Sequence, residues 1–464
     1  MPPKAKDFQE KVRHFQRVLY HAAKRSPKRR FHALYDKIHR SDVLERAWHE
    51  VRRNRGASGI DGQTLDWIQE EYGVENFLQG LQKELAEGKY RPLPVKRVEI
   101  PKAKGGTRPL GIPTIRDRVV QAACRMVIEP IFEADFLDSS YGFRPKRSAH
   151  QAHFAIIDRI HRKGQNWVID GDIEKYFDSI EHWKLMWLLR LRISDRRILK
   201  LIRGWLKAGV MKEGRIEPIL EGTPQGGVIS PLLSNVYLHF FDREWQKYAH
   251  LGTLIRYADD FVILFKVSTN AKKSLEIVRG ILKRLGLRLH PEKTRLVNLY
   301  PGKDGMDFLG FYFRKHSGLP GKVKRHVVTW PSKDAMKRIR GKIKDLTDLR
   351  RTSPMSLEAV VERLNPVIRG WVNYFRVAAN SAVKFVALDW YVTKRLGKIR
   401  RKKHRITRRS WSSRDYQRLG VFQTKDKVDW DLILKANGTE VVGKPDEGKP
   451  HVRFDEGVLE TGLN

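Results

Sequence analysis

Leu254-Ile255-Arg256-Tyr257-Ala258-Asp259-Asp260-Phe261-Val262-Ile263-Leu264-Phe265 is the stretch on which the fold turns. Two β-prone apolar runs, Leu254–Tyr257 and Phe261–Phe265, flank adjacent carboxylates at Asp259 and Asp260. A strand–turn–strand with paired acids at its tip aims both at one spot. Two unpaired anions between apolar strands are costly, so a cation is implied. Hard oxygen ligands select Mg²⁺.

Working toward the N-terminus, Trp167-Val168-Ile169-Asp170-Gly171-Asp172-Ile173-Glu174-Lys175-Tyr176-Phe177-Asp178 runs from a buried strand into a turn and supplies a further acid. Of Asp170 and Asp172, Asp172 is taken as the ligand. With Asp259 and Asp260 it makes the three-carboxylate set that two-metal phosphoryl transfer needs, with two Mg²⁺ ions and Mn²⁺ as a substitute. Phe177 follows five residues later, placed to lie under a sugar and reject a 2′-hydroxyl. Between the acidic sites, the glycines of Glu221-Gly-Thr-Pro-Gln-Gly-Gly-Val228 allow close backbone approach to a nucleotide, and Gln225 can hydrogen-bond it.

Further out, residues 8–55 read as a basic amphipathic helix ended by the Gly56–Gly62 loop. Arg91–Lys102 is extended and proline-punctuated, and Lys104-Gly-Gly-Thr-Arg108 reads as a hairpin turn. Phe308–Phe313 and His326–Trp330 are further β-prone runs. Helices alternate with these strands, which predicts an α+β fold on a mostly antiparallel sheet. From residue 331 the chain turns helical, with Ser356 capping an apolar-periodic helix and Pro366 inside it. Residues 394–409, KRLGKIRRKKHRITRR, contain no acid.

Composition narrows the partners. Among 464 residues, 92 Lys and Arg against 53 Asp and Glu give a net charge of +39. Self-repulsion of that size points to a polyanion, and nucleic acid is the commonest. The apolar stretches are too short to span a bilayer, so no membrane association is expected. A lone Cys124 in an apolar segment excludes internal disulfides and Cys-rich zinc sites, makes a disulfide-linked partner unexpected, and predicts a buried thiol. The first residues lack a signal-type apolar core, and a cytoplasmic location, free or at the nucleoid, is expected.

These blocks together resemble the group II intron-encoded reverse transcriptases, also called maturases. The order is Gly59-Ile-Asp-Gly62, Pro101-Lys102 with Thr107-Arg-Pro-Leu-Gly-Ile-Pro113, Tyr141-Gly-Phe-Arg-Pro145, and then the Asp172 block. Pro224-Gln-Gly-Gly227, Tyr257-Ala-Asp-Asp260, Leu289-His-Pro-Glu-Lys-Thr294 and Asp307-Phe-Leu-Gly-Phe311 follow. Asn365–Phe375 is similar to the family's thumb, or maturase, domain.

The resemblance implies a right-hand polymerase. A basic N-terminal extension (1–55) precedes fingers and palm (56–320). A helical thumb/maturase domain (331–393), a basic nucleic-acid-binding segment (394–420) and a tail of unclear fold (421–464) follow. It places the metals on Asp172, Ile173, Asp259 and Asp260, and the dNTP on Lys96, Lys102, Arg108, Ile173, Phe177 and Gln225. Arg97 could serve in place of Lys96. Nucleic-acid contacts are expected at Arg144, Arg400, Arg401, Lys402 and Lys403. RNA template, DNA primer, dNTPs and intron RNA are the implied partners. No terminal nuclease domain with Cys and His ligands is expected. A stand-alone CRISPR-associated or host-defence enzyme, or a splicing-only maturase, are the alternatives.

Overall fold

The two apolar runs around Asp259 form adjacent strands, Gly252–Tyr257 and Asp260–Phe265, in a computed structural model of the protein. It describes residues 3–101, 106–212, 215–217, 222, 226–316, 326–404, 413–424, 427–429 and 431–433. The hairpin belongs to a four-stranded sheet whose order is Gly252–Tyr257, Asp260–Phe265, Trp167–Gly171, Arg295–Asn298. Every neighbouring pair in it is antiparallel. Val262 through Phe265 are fully buried, as a strand covered on both faces requires. Helices Ala149–His161 and Ser268–Arg284 pack against this sheet.

A second sheet pairs Val95–Pro101 antiparallel with Thr107–Ile112, which is the expected hairpin. Val95–Pro101 also runs parallel to Val210–Lys212. The helix Ile115–Glu133 is buried along most of its length, including Cys124, because Pro3–Arg25 and Ser41–Arg53 pack on it.

Two expectations need correction. The single helix over 8–55 is three helices, Pro3–Arg25, Tyr35–Ile38 and Ser41–Arg53. Ser26-Pro27 ends the first, and Phe31 then bridges Ile193 as extended chain. The run Phe308–Phe313 is two strands, Met306–Phe308 and Phe311–His316, which pair antiparallel. Leu309 (φ 51°) and Gly310 (φ 80°) make the two-residue turn between them.

The chain divides into two compact units, Met1–Val327 and Val328–Asn464. In the second, helices Lys333–Leu346, Leu357–Phe375 and Ser381–His404 pack on one another. Ser356 caps the middle one, its hydroxyl accepting from the Ala359 N–H at 3.1 Å. Helix Ser381–His404 runs unbroken through residue 394, where a segment boundary was expected. Residues 421–424 dock on the same unit: Asn365 donates to the Gly420 carbonyl, and Thr424 Oγ1 donates to the Phe385 carbonyl.

Candidate active site

Register brings the acids together. Gly171 pairs with Phe261 across the sheet. One step further along each strand come Asp172 and Asp260, which therefore stand opposite each other, with Asp259 beside them in the turn. Gly171 is required: a Cβ there would fall 2.2 Å from the Phe261 ring. The turn itself needs Ala258 in the left-handed region, at φ 57°.

The electrostatics follow from this crowding. Asp260 keeps solvent access. Its carboxyl is nevertheless pushed up to about 7, first by the desolvation of the recess it stands in, then by the charges of Asp259, Asp172 and Asp170. Lys293 offsets only part of this and lies 3.5 Å from Asp172. Asp170 is spent elsewhere, accepting from Arg295 at 2.9 Å. Among the described residues no three His, Cys, Asp or Glu side chains already form a metal cage. The excess of carboxylate over local cation is the donor set that a hard divalent ion satisfies, so the residues fit Mg²⁺.

The segment after Asp172 is tied to the Leu289–Thr294 block. His290 N–H donates to the Asp172 carbonyl and Glu174 N–H to that of Arg288, flanking an antiparallel bridge between Ile173 and Leu289. Neither bond uses the Ile173 carbonyl. Tyr176 and Phe177 then enter a short 3₁₀ turn, Tyr176–Ser179. The Tyr176 hydroxyl donates to the Ser234 carbonyl at 2.9 Å, and its ring meets Phe177 edge-on.

Two glycines of the Glu221–Val228 stretch lie tightly against neighbouring backbone. A Cβ on Gly222 would lie 2.8 Å from the Phe177 carbonyl, and one on Gly226 2.6 Å from that of Gly111. Gln225 and Lys102 lie outside the described residues, as does the Arg108 side chain. Lys96 is exposed, whereas its neighbour Arg97 projects to the opposite face and is paired with Glu99 at 2.9 Å.

Two expected nucleic-acid contacts are corrected by burial. Arg144 is 8 % exposed and its guanidinium holds Glu133 at 2.7 Å together with the Leu137 and Ser140 carbonyls. Arg400 is likewise 8 % exposed. Arg401, Lys402 and Lys403 do face solvent. The sequence reading missed Arg256, which is fully buried beside Asp259. A charge within the apolar run Leu254–Tyr257 was the signal, because a buried cation demands partners.

Comparison with known proteins identifies the family. Residues 100–313 match the family described as "Reverse transcriptase (RNA-dependent DNA polymerase)". Residues 336–417 match "Group II intron, maturase-specific domain". Protein YkfC of Escherichia coli (strain K12) is 37 % identical over 362 residues, covering 70 % of this chain and 93 % of that protein. The group II intron-encoded protein LtrA of Lactococcus lactis subsp. cremoris is 40 % identical over 218 residues, 46 % of this chain and 35 % of LtrA. A chain of a solved structure titled "Partial Cas6-RT-Cas1--Cas2 complex" is 25 % identical, with a TM-score of 0.34 over 54 % of this chain and 42 % of that one.

The chain belongs to the reverse transcriptases, the RNA-directed DNA polymerases. Within them it is a member of the group II intron-encoded family, whose polymerase is joined to a maturase domain that serves intron splicing and mobility. The chain spans nearly all of YkfC but only about a third of LtrA. Among the described residues no helix is long and apolar enough to cross a membrane.

Proposed function

We propose that the Asp172–Asp259–Asp260 cluster is the polymerisation centre, adding deoxynucleotides to a DNA primer 3′-hydroxyl on an RNA template. The observation that carries this reading is the register-enforced meeting of the three carboxylates, with the charge excess felt at Asp260. In this reading the four-stranded sheet is the palm, the Val95–Ile112 hairpin belongs to the fingers, and the helices after residue 331 form the thumb/maturase domain.

Asp172, Asp259, Asp260 and the Ile173 carbonyl would hold the metal pair. Bound there, two Mg²⁺ ions, or Mn²⁺, lower the pKa of the primer hydroxyl and neutralise the departing pyrophosphate. Lys96, Lys102 and Arg108 would offset the triphosphate charge. Phe177, whose ring meets Tyr176 edge-on and whose carbonyl lies close to Gly222, would exclude a 2′-hydroxyl. The same reading gives Gln225 a hydrogen bond to the nucleotide. The exposed Arg401, Lys402 and Lys403 grip phosphate backbones of template–primer or intron RNA.

The test is extension of a DNA primer on an RNA template beside filter binding. Wild type should extend. Asp259→Ala should lose extension by about a thousandfold or more while its affinity changes less than about threefold. Extension within about tenfold of wild type would remove Asp259 from the centre.

A further inference from the structure

The carboxylate turn is held from below by a buried polar network. Arg256 and Asp242 are both fully enclosed, with side chains 0 % exposed, and they pair bidentately at 2.7 Å and 2.5 Å. The remaining donors go to Asn235 Oδ1 at 3.1 Å, the Ala258 carbonyl at 2.8 Å and Ser140 Oγ at 2.8 Å. All five N–H donors of the guanidinium are thereby used.

Asn235 and Asp242 lie two turns apart on one face of helix Ser230–Gln246. Asn235 also donates to the Gly142 carbonyl at 2.8 Å, and a Cβ on Gly142 would sit 2.4 Å from the Ala258 nitrogen. The backbone adds two bonds, Arg256 N–H to the Ser139 carbonyl and Tyr141 N–H to the Arg256 carbonyl, each 2.8 Å. Two of these contacts reach Ala258 itself, the Arg256 bond to its carbonyl and the close approach of Gly142 to its nitrogen, and its left-handed backbone immediately precedes Asp259.

We propose that Arg256, with Asp242 and Asn235, is a positioning device: it fixes the Ala258 conformation and so aims the Asp259 and Asp260 carboxylates at their cation. This rests on the polymerisation-centre reading above. Three physical points favour aim over mere cohesion. A buried ion pair is weak evidence for stability, since apolar residues of similar size often serve as well or better. The pair is charge-neutral, so Arg256 can hold the turn without cancelling the carboxylates that attract the cation. One of its donors is committed to the strained residue itself, where a left-handed Ala persists only if its surroundings hold it there.

The test uses the full chain, the charge-neutral double variant Arg256→Met/Asp242→Leu, and Arg256→Lys. Arg256→Lys keeps the pairing with Asp242 but, with a compact ammonium, cannot also reach every acceptor of the planar fork. Thermal unfolding reports the fold, and electron paramagnetic resonance of free Mn²⁺ reports cation binding without turnover. Primer extension separates kcat from the KM for dNTP.

The double variant should fold. Its Mn²⁺ affinity should fall about tenfold and its kcat about a hundredfold, while the KM changes less than about threefold. Arg256→Lys should show the same pattern, reduced. A folded double variant whose Mn²⁺ affinity and kcat stay within about threefold of wild type would make the network a packing brace and overturn the proposal. Should the double variant not fold, Arg256→Lys decides by the same two criteria. If wild type itself fails to extend primers, the polymerase reading falls, and Mn²⁺ binding alone decides the positioning role.

Discussion

The turn at Asp259–Asp260 and the basic end of helix Ser381–His404 are opposite solutions to handling charge. At the turn, sheet register brings Asp172, from the end of another strand, against Asp259 and Asp260, and residues far away in sequence brace the turn through Arg256: Asp242 on a helix, Ser140 in a loop. On the helix, cations lie along one local element, and exposed Lys394, Lys398, Arg401, Lys402 and Lys403 owe their placement to helical periodicity alone. The first arrangement stores an unmet demand for cations at one point. The second spreads a demand for anions over a surface. In the proposed function, chemistry belongs to the former and grip to the latter.

The sharpest way to probe the point-like region is sugar selection. Phe177→Ala removes the ring beside Tyr176, and ribonucleotide incorporation relative to deoxyribonucleotide should rise by roughly ten- to a thousandfold. Competition between the two triphosphates on one primer–template measures it. An unchanged ratio in a folded variant would return Phe177 to the core.

Next in size is a test of whether an arginine's surroundings decide its role. Arg144→Ala breaks the half-enclosed pair with Glu133 and frees the Leu137 and Ser140 carbonyls. It should destabilise the protein by about 3 kcal/mol. Chemical denaturation reads this, and the salt dependence of nucleic-acid binding should stay as in wild type. A flattened salt slope with unchanged stability would restore Arg144 to the surface.

The smallest expected effect belongs to the diffuse region. Replacing Arg401, Lys402 and Lys403 with Gln should flatten the slope of log affinity against log salt by about 2, at roughly 0.7–0.9 per phosphate contact. The loss should be similar for unrelated templates, since phosphate contacts carry no sequence information. Parallel lines for variant and wild type would make this helix end a solvated surface.

Legibility in the sequence followed the same division. The hairpin, its acids and the Trp167 strand were readable because β-prone runs and their punctuation are local. The choice between Lys96 and Arg97 was not, since alternation puts the two on opposite faces of one strand without saying which face a nucleotide would meet. Arg144 and Arg400 looked like surface cations because a sequence displays charge and conceals burial. The Arg256 network spans Ser140, Asn235 and Asp242, so no single window contains it. The split at Leu309–Gly310 was hidden because Leu309 reads as one more apolar strand residue; Gly310 was the local turn signal, and the positive φ of both residues makes the turn.

The central claim is that strand register selects the acids that do the chemistry. Asp172 stands opposite Asp260 at the tip, whereas Asp170, two steps inside the sheet, is paired with Arg295. Single-turnover extension of a DNA primer on an RNA template should therefore separate Asp172→Asn from Asp170→Asn. Asp172→Asn should lose about a thousandfold or more in rate, and Asp170→Asn less than about tenfold. Near-normal extension by folded Asp172→Asn, or equal collapse of both variants at full stability, would contradict the account.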